Sequence, residues 1–200
     1  MENKKFNPEF RAKLNNPARL EKLDPEKIWE FINVKNPEMI LDIGAGTAFI
    51  TAALARYAPK SNIEAYDIEP VMVEEMQKNL PDYSNITPCL MEENNVPVSN
   101  NYADIVWMIN LFHELHKPHA LLCEIKRVLK PGGKLLIIDW AKSPGACKSG
   151  PPFDHRVGEA TITSQMIGAD FSNIVTTKNL PHHLGVIGTK KKSFRKNEAL

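Results

Sequence analysis

Along the chain, short runs of β-branched and apolar residues alternate with stretches whose apolar positions recur every three or four residues. The first pattern reads as buried strands and the second as helices, and their alternation specifies an open, doubly wound α/β sheet. Strands are expected at Met39–Ile43, Asn62–Asp67, Asn85–Leu90, Ala103–Ile109, Lys134–Asp139, Asn173–Thr177 and Leu184–Thr189. Ala103–Ile109 is a continuous apolar run, as a central strand covered on both faces requires. Helices are expected at Thr47–Tyr57, Pro70–Leu80, Pro118–Leu129 and near Thr163–Gly168, with residues 1–35 as short helices broken at Pro8, Pro17 and Pro25. Leu122, Ile125 and Leu129 keep helical spacing until Lys130, Pro131, Gly132 and Gly133 stop the helix and turn the chain, a purely structural role. Trp140–Arg156 holds three prolines and two glycines and reads as a long loop.

The chain has 200 residues, which leaves space for one domain. It divides into an N-terminal helical cap (1–38), a core (39–140), a loop with two final strands (141–189) and a basic tail (190–200). No stretch approaches the run of about 20 apolar residues that spans a bilayer. The first residues carry no apolar segment after their lysines, so a cytoplasmic location is expected. Cys89, Cys123 and Cys147 match no zinc or CxxC spacing, and partly buried, reduced thiols are the expectation. His113, His116 and His119 recur every third residue, but Pro118 breaks their shared face and no metal site is expected. Of 25 bases and 24 acids, five and one fall in the last eleven residues; the rest, 20 and 23, give a body of net charge −3. Such a body is unsuited to coating nucleic acid, and the tail reads as solvated.

The sharpest local signal is ILDIGAGTAFITAA, from Ile40 to Ala53. A buried strand reaches Asp42, Gly44 and Gly46 permit a tight turn, and a helix follows, an arrangement suited to a nucleotide-type cofactor. A dinucleotide fingerprint would need a third glycine where Phe49 stands. Asp67 ends the second strand 23 residues after Gly44, where a carboxylate can accept from both ribose hydroxyls. Taken singly, Asp42 also fits a helix cap and Asp67 a solvated strand end.

The Asp-x-Gly-x-Gly pattern resembles motif I of the class I S-adenosylmethionine-dependent methyltransferases, with Ala48 where most members have a third glycine. Three more segments agree in order: AYDIEPVM, CLMEENNVPVSNNYADIVWMINLFHEL and EIKRVLKPGGKLLIIDW, the last resembling the ubiquinone/menaquinone-biosynthesis (type 11) group. The resemblance implies a Rossmann-like, seven-stranded sheet in the order 3-2-1-4-5-7-6 and S-adenosyl-L-methionine as cofactor, with S-adenosyl-L-homocysteine as product. It implies a cofactor site of Asp42, Gly44, Ala45, Gly46, Asp67, Ile68, Glu92, Glu93 and Asn110, Glu92 standing where the family commonly has Asp.

In an open parallel sheet the reacting groups sit beyond the carboxyl ends of the strands. His113, Asp139 and Trp140 are candidates there, with Glu114 beside them, and His155 and Arg156 in the long loop. His113 either packs near the cofactor or caps the next helix; Arg156 either binds an anionic acceptor or pairs with Asp154 or Glu159. At most one of the adjacent His182 and His183 can face the site. The stretch starting at Asn110 lacks the Asn/Asp-Pro-Pro-aromatic signature of base-amine methylation. The reading is methyl transfer to a small-molecule acceptor by a monomer or homodimer, with no nucleic-acid or membrane partner. Alternatives are a non-catalytic cofactor-binding module, a protein or peptide methyltransferase that docks through the basic tail, and a nicotinamide-dependent dehydrogenase.

Overall fold

The computed structural model describes residues 6–143 and 150–192. Seven strands form one sheet: β1 (Met39–Ile43), β2 (Asn62–Asp67), β3 (Ile86–Leu90), β4 (Ala103–Ile109), β5 (Leu129–Trp140), β6 (Phe171–Thr177) and β7 (His183–Lys190). Their order is β3-β2-β1-β4-β5-β7-β6, parallel from β3 to β5, with β7 antiparallel to both β5 and β6. The expected fold and strand order are therefore observed. The chain winds outward from β1 to β3 and then crosses to β4 on the other side, so a crevice opens beyond the carboxyl ends of β1 and β4.

Alternation along the central strands feeds two cores. Leu41, Val106, Met108, Leu135 and Ile137 pack under α5 (Pro118–Val128) and α6 (Glu159–Gly168). Ile40, Ile105, Trp107, Leu136 and Ile138 pack under α2 (Pro25–Ile32), α3 (Phe49–Ala55) and α4 (Pro70–Asn79). Sequence order makes α1 (Arg19–Lys22) the first α-helix, preceded by a 3-10 helix at Pro8–Asn15.

Several boundaries differ from expectation. Pro8 and Pro25 open helices rather than breaking them, because the first helical position needs no N–H. The residues Lys130–Gly133 lie inside β5, which starts at Leu129; Gly132 has φ +86° and the β4 pairing shifts register between Ala103 and Ile105. A side chain at Gly133 would meet the Lys130 carbonyl oxygen at 2.9 Å, so the bulge requires glycine. Helix α6 begins at Glu159, earlier than its weak apolar pattern indicates. The basic tail is not wholly solvated: Lys190 ends β7, and its ammonium donates to Asn101 Oδ1 and the Leu129 carbonyl, each at 2.7 Å. Lys191 pairs with Asp170. Residues 193–200 of that tail, residues 144–149 of the long loop including Cys147, and residues 1–5 lie outside the described residues. Among the described residues no helix is long and apolar enough to cross a membrane.

One carboxylate fixes where β1 starts beside β4. Asp104 Oδ2 accepts from the Glu38 and Met39 N–H groups, both at 2.9 Å, and Oδ1 lies 2.8 Å from the Lys130 ammonium. Burial alone would raise the Asp104 pKa, but Lys130 and the two N–H donors hold it below the usual value of 3.8. Hydrogen bonds to charged groups contribute roughly 1.5–3 kcal/mol each. Asp104→Ala should therefore lower unfolding stability in urea at pH 7 by about 2 kcal/mol or more. A depressed carboxylate stabilises above its unfolded pKa, so the gap between wild type and variant should close as pH falls below about 3.8.

Candidate active site

Beyond β1 the chain turns through three left-handed residues, Gly44 (φ +74°), Gly46 (+59°) and Ala48 (+57°). The Tyr66 carbonyl accepts from both the Gly44 and Ala45 N–H groups at 2.9 Å. Asp67 Oδ2 accepts from Gly46 N–H at 2.9 Å, and its Oδ1 from Glu69 N–H at 3.0 Å. A Cβ at Gly44 would lie 2.7 Å from the Leu111 side chain, and one at Gly46 3.0 Å from that of Leu14. Ala48 holds its strained conformation while fully buried, so core packing offsets the strain that a third glycine would avoid. Phe49 opens α3 and packs into the core.

Burial raises the Asp67 pKa above 3.8, opposed by the N–H groups of Glu69, Gly46 and Ile68. Ile68 is half-buried against the core beside it. The carbonyl of Asp67 accepts from Met91 N–H, which brings the end of β3 alongside. Glu92 and Glu93 follow there, exposed in a short turn that Glu92 closes with Asn95. Asp42 points into the protein: it is buried, and Oδ2 accepts from the Thr51 hydroxyl at 2.6 Å. Burial raises its pKa to about 6, against the opposing influence of Thr51, Trp107 and, more weakly, Arg19.

The ends of β4 and β5 bring a second set together. Asn110 sits at φ +60°, donates its N–H to the Ile138 carbonyl at 2.8 Å, and leaves its buried side-chain oxygen without a protein partner. His113 and Asp139 are both buried, with Nδ1 and Oδ1 2.8 Å apart. Asp139 also accepts from the backbone N–H groups of His113 (3.0 Å) and Trp140 (2.7 Å). Burial alone would lower the His113 pKa, but Asp139 and Glu114 raise it above 6.5. Glu114 stands 3.7 Å from His113 Nε2 and accepts from Phe6 N–H at 3.0 Å; burial raises its pKa.

The long loop returns over this end of the sheet. Arg156 is buried, donates to the Pro151 and Ala141 carbonyls at 3.1 Å each, and lies 5.6 Å from the Trp140 ring centroid. It pins the loop to the strand end, while its neighbour His155 is half-buried. His183, paired with Trp140 in the β5–β7 register, lies tilted at 36° against that indole with 4.3 Å between centroids, whereas His182 is less deeply buried.

The sequence comparisons bear on this geometry. A methyltransferase-domain family model matches residues 41–137, the segment that carries the glycine turn and the ends of β1, β2, β4 and most of β5. A crystal structure of an S-adenosylmethionine-dependent methyltransferase from Aquifex aeolicus is 31% identical, with a TM-score of 0.86 over 92% of this chain and 99% of that one. The chain belongs to the type 11 group of class I S-adenosylmethionine-dependent methyltransferases. Two further relatives are the ubiquinone/menaquinone biosynthesis C-methyltransferases of Burkholderia vietnamiensis and Ralstonia nicotianae. They are 33% and 32% identical over 112 and 124 residues, 55% and 58% of this chain. The chain spans about half the length of these relatives, 46% and 51%.

The turn fits the methyltransferase cofactor: at two glycines the backbone carries no side chain and only leucine side chains lie on it, and Asn110 holds a buried acceptor with no hydrogen-bond partner at the next strand end. Sequence reasoning listed His113 and Asp139 separately and did not pair them. It missed Leu14, because a contact from residues 1–35 to the glycine turn leaves no local pattern. Cys89 is half-buried but Cys123 is exposed, 3.6 Å from His119 Nε2, contrary to the expected partial burial.

Asp42 yields a stability test. Because the folded state holds its proton more tightly than the unfolded chain, stability should fall as pH rises from about 4 to about 6. Asp42→Asn should flatten that fall in urea-denaturation midpoints measured across the window. Parallel curves for the two proteins would contradict the assignment.

Proposed function

We propose that this methyltransferase moves a methyl group to a small-molecule acceptor seated over the ends of β4 and β5, with His113 taking the acceptor's proton. The observation that carries the reading is the buried His113–Asp139 pair at 2.8 Å. When bound, S-adenosylmethionine supplies a methyl already activated by its sulfonium. Gly44, Ala45, Gly46, Asp67, Ile68 and Asn110 would hold that cofactor, with Glu92 and Glu93 at its adenine side. Asp42 would act from beneath the turn through its charge, since it is buried and its Oδ2 already accepts from the Thr51 hydroxyl.

With the donor activated, alignment of the acceptor does most of the remaining work, and a base is needed where the nucleophile carries a proton. Asp139 accepts from Nδ1–H, fixing the tautomer in which Nε2 is the free acceptor nitrogen. Its two backbone donors keep that carboxylate in place. Trp140 offers an apolar wall, and Arg156 holds the loop beside it, with half-buried His155 next in the chain. The acidic body favours a small acceptor over nucleic acid.

The test is incubation with methyl-labelled cofactor and a metabolite extract, followed by mass identification of the labelled product. Label in a small molecule is expected; label only in protein, or cofactor binding without turnover, would contradict the reading and support the alternatives. With that acceptor, activity should fall on acidification through the His113 pKa, above 6.5, because the protonated ring accepts no proton. His113→Asn should reduce kcat by about 10²–10⁴-fold and abolish this limb. Asp139→Asn should shift the limb to lower pH.

A further inference from the structure

His113 lies between two carboxyl groups that stand at opposite ends of its ring. Asp139 meets Nδ1 at 2.8 Å, whereas Glu114 has Oε1 3.7 Å from Nε2, too far for a direct hydrogen bond. Glu114 is half-buried, so water screens its charge poorly, and an imidazolium formed here would face a negative group at each end. The ionisation of Glu114 decides what it does to the ring. As a carboxylate it only accepts hydrogen bonds, so it leaves the Nε2 lone pair open and favours the protonated ring once that forms. As a carboxylic acid it could donate to Nε2 and occupy the lone pair that a base needs.

Burial favours the acid form of Glu114, as do the charges of Asp139 and Asp67, while the Phe6 N–H and His113 favour the carboxylate. Arg156, from the loop after β5, opposes protonation of the His113 ring. The Phe6 N–H donates to Glu114 Oε2 at 3.0 Å from 108 residues away in the chain. The segment that follows Phe6 runs on across the crevice: Leu14 lies on Gly46, and Arg11 stands 3.6 Å from Glu75 of α4. One continuous stretch therefore covers the glycine turn and supplies a donor to the carboxyl group beside His113.

We propose that Glu114 is a positioning residue for the transfer, supporting His113 as it takes the acceptor's proton, and that the N-terminal segment completes this arrangement through the Phe6 N–H. This rests on the reading of His113 as the base. The proton passes from the acceptor to Nε2, and Glu114 neither gains nor loses one. The segment over the glycine turn thus acts on the proton-taking end of the site through a backbone donor, not through a side chain.

An NMR titration of the histidine-labelled full chain reads His113 without any acceptor, its signal assigned by its loss in His113→Asn. Glu114→Gln keeps an oxygen for the Phe6 N–H but removes the charge. It should lower the His113 midpoint by about one pH unit or more, and the acidic limb of kcat/KM for the acceptor should move down with it. Glu114→Asp retains the charge and should recover part of that drop. Phe6→Pro deletes the donor alone and should lower the midpoint by a smaller amount; it carries the test if the Gln variant does not fold. An unchanged midpoint in Glu114→Gln would overturn the role of Glu114, and an unchanged midpoint in Phe6→Pro that of the N-terminal segment. A midpoint that falls while the activity limb stays in place would contradict the reading of His113 as the base, and the positioning role would fall with it.

Discussion

The hydrogen bond from Gly46 N–H to the Asp67 carboxylate, at 2.9 Å, ties the loop after β1 to the end of β2. The residue before Asp67 reinforces it, since the Tyr66 carbonyl receives the N–H groups of Gly44 and Ala45. Parallel pairing of Ile43 with Tyr66 brings the strand ends level, and the chain must then turn away within a few residues. Only backbone at positive φ does so while aiming three successive N–H groups at one strand end. The same carboxylate that closes the turn is the one suited to a ribose, so under the proposed function one contact would build both the cradle and its recognition group.

Three buried carboxyl groups and the half-buried Glu114 stand around the crevice, and their neighbours separate their roles. Burial dominates at Asp42 and its pKa rises to about 6, against the Thr51 hydroxyl, the Trp107 indole and a distant guanidinium. Asp67 has backbone donors that moderate the same effect. Glu114 combines burial with the nearby His113 ring. Asp139 is the most enclosed, yet it receives two backbone N–H groups and the His113 ring. A carboxylate so donated to is a fixed orienting group for an imidazole, and under the proposed function the pair would act one strand beyond the glycine turn.

Much of this was legible because it is local. The glycine spacing, the acid 23 residues later and the apolar runs of β1, β2 and β4 each encode their own conformation, and the strand order followed from the family resemblance. What escaped was long-range. Lys130–Gly133 has the composition of a turn, yet Leu129 already pairs with Ala103, so the strand runs through a bulge. Lys190 resembles a tail residue, but its ammonium satisfies two acceptors of the sheet edge. The pairing of His113 with Asp139, 26 residues apart, depends on β4 and β5 lying side by side. Leu14 reaches Gly46 only because the N-terminal segment folds back over the glycine turn.

The central claim is that Asp67 joins the glycine turn to the ribose. Calorimetry with S-adenosylhomocysteine on Asp67→Ala, combined with amide hydrogen exchange at Gly46, measures both halves at once. Affinity reduced by about tenfold or more, together with faster exchange at Gly46 in the free protein, is the predicted result. Unchanged affinity with Gly46 still protected would contradict it.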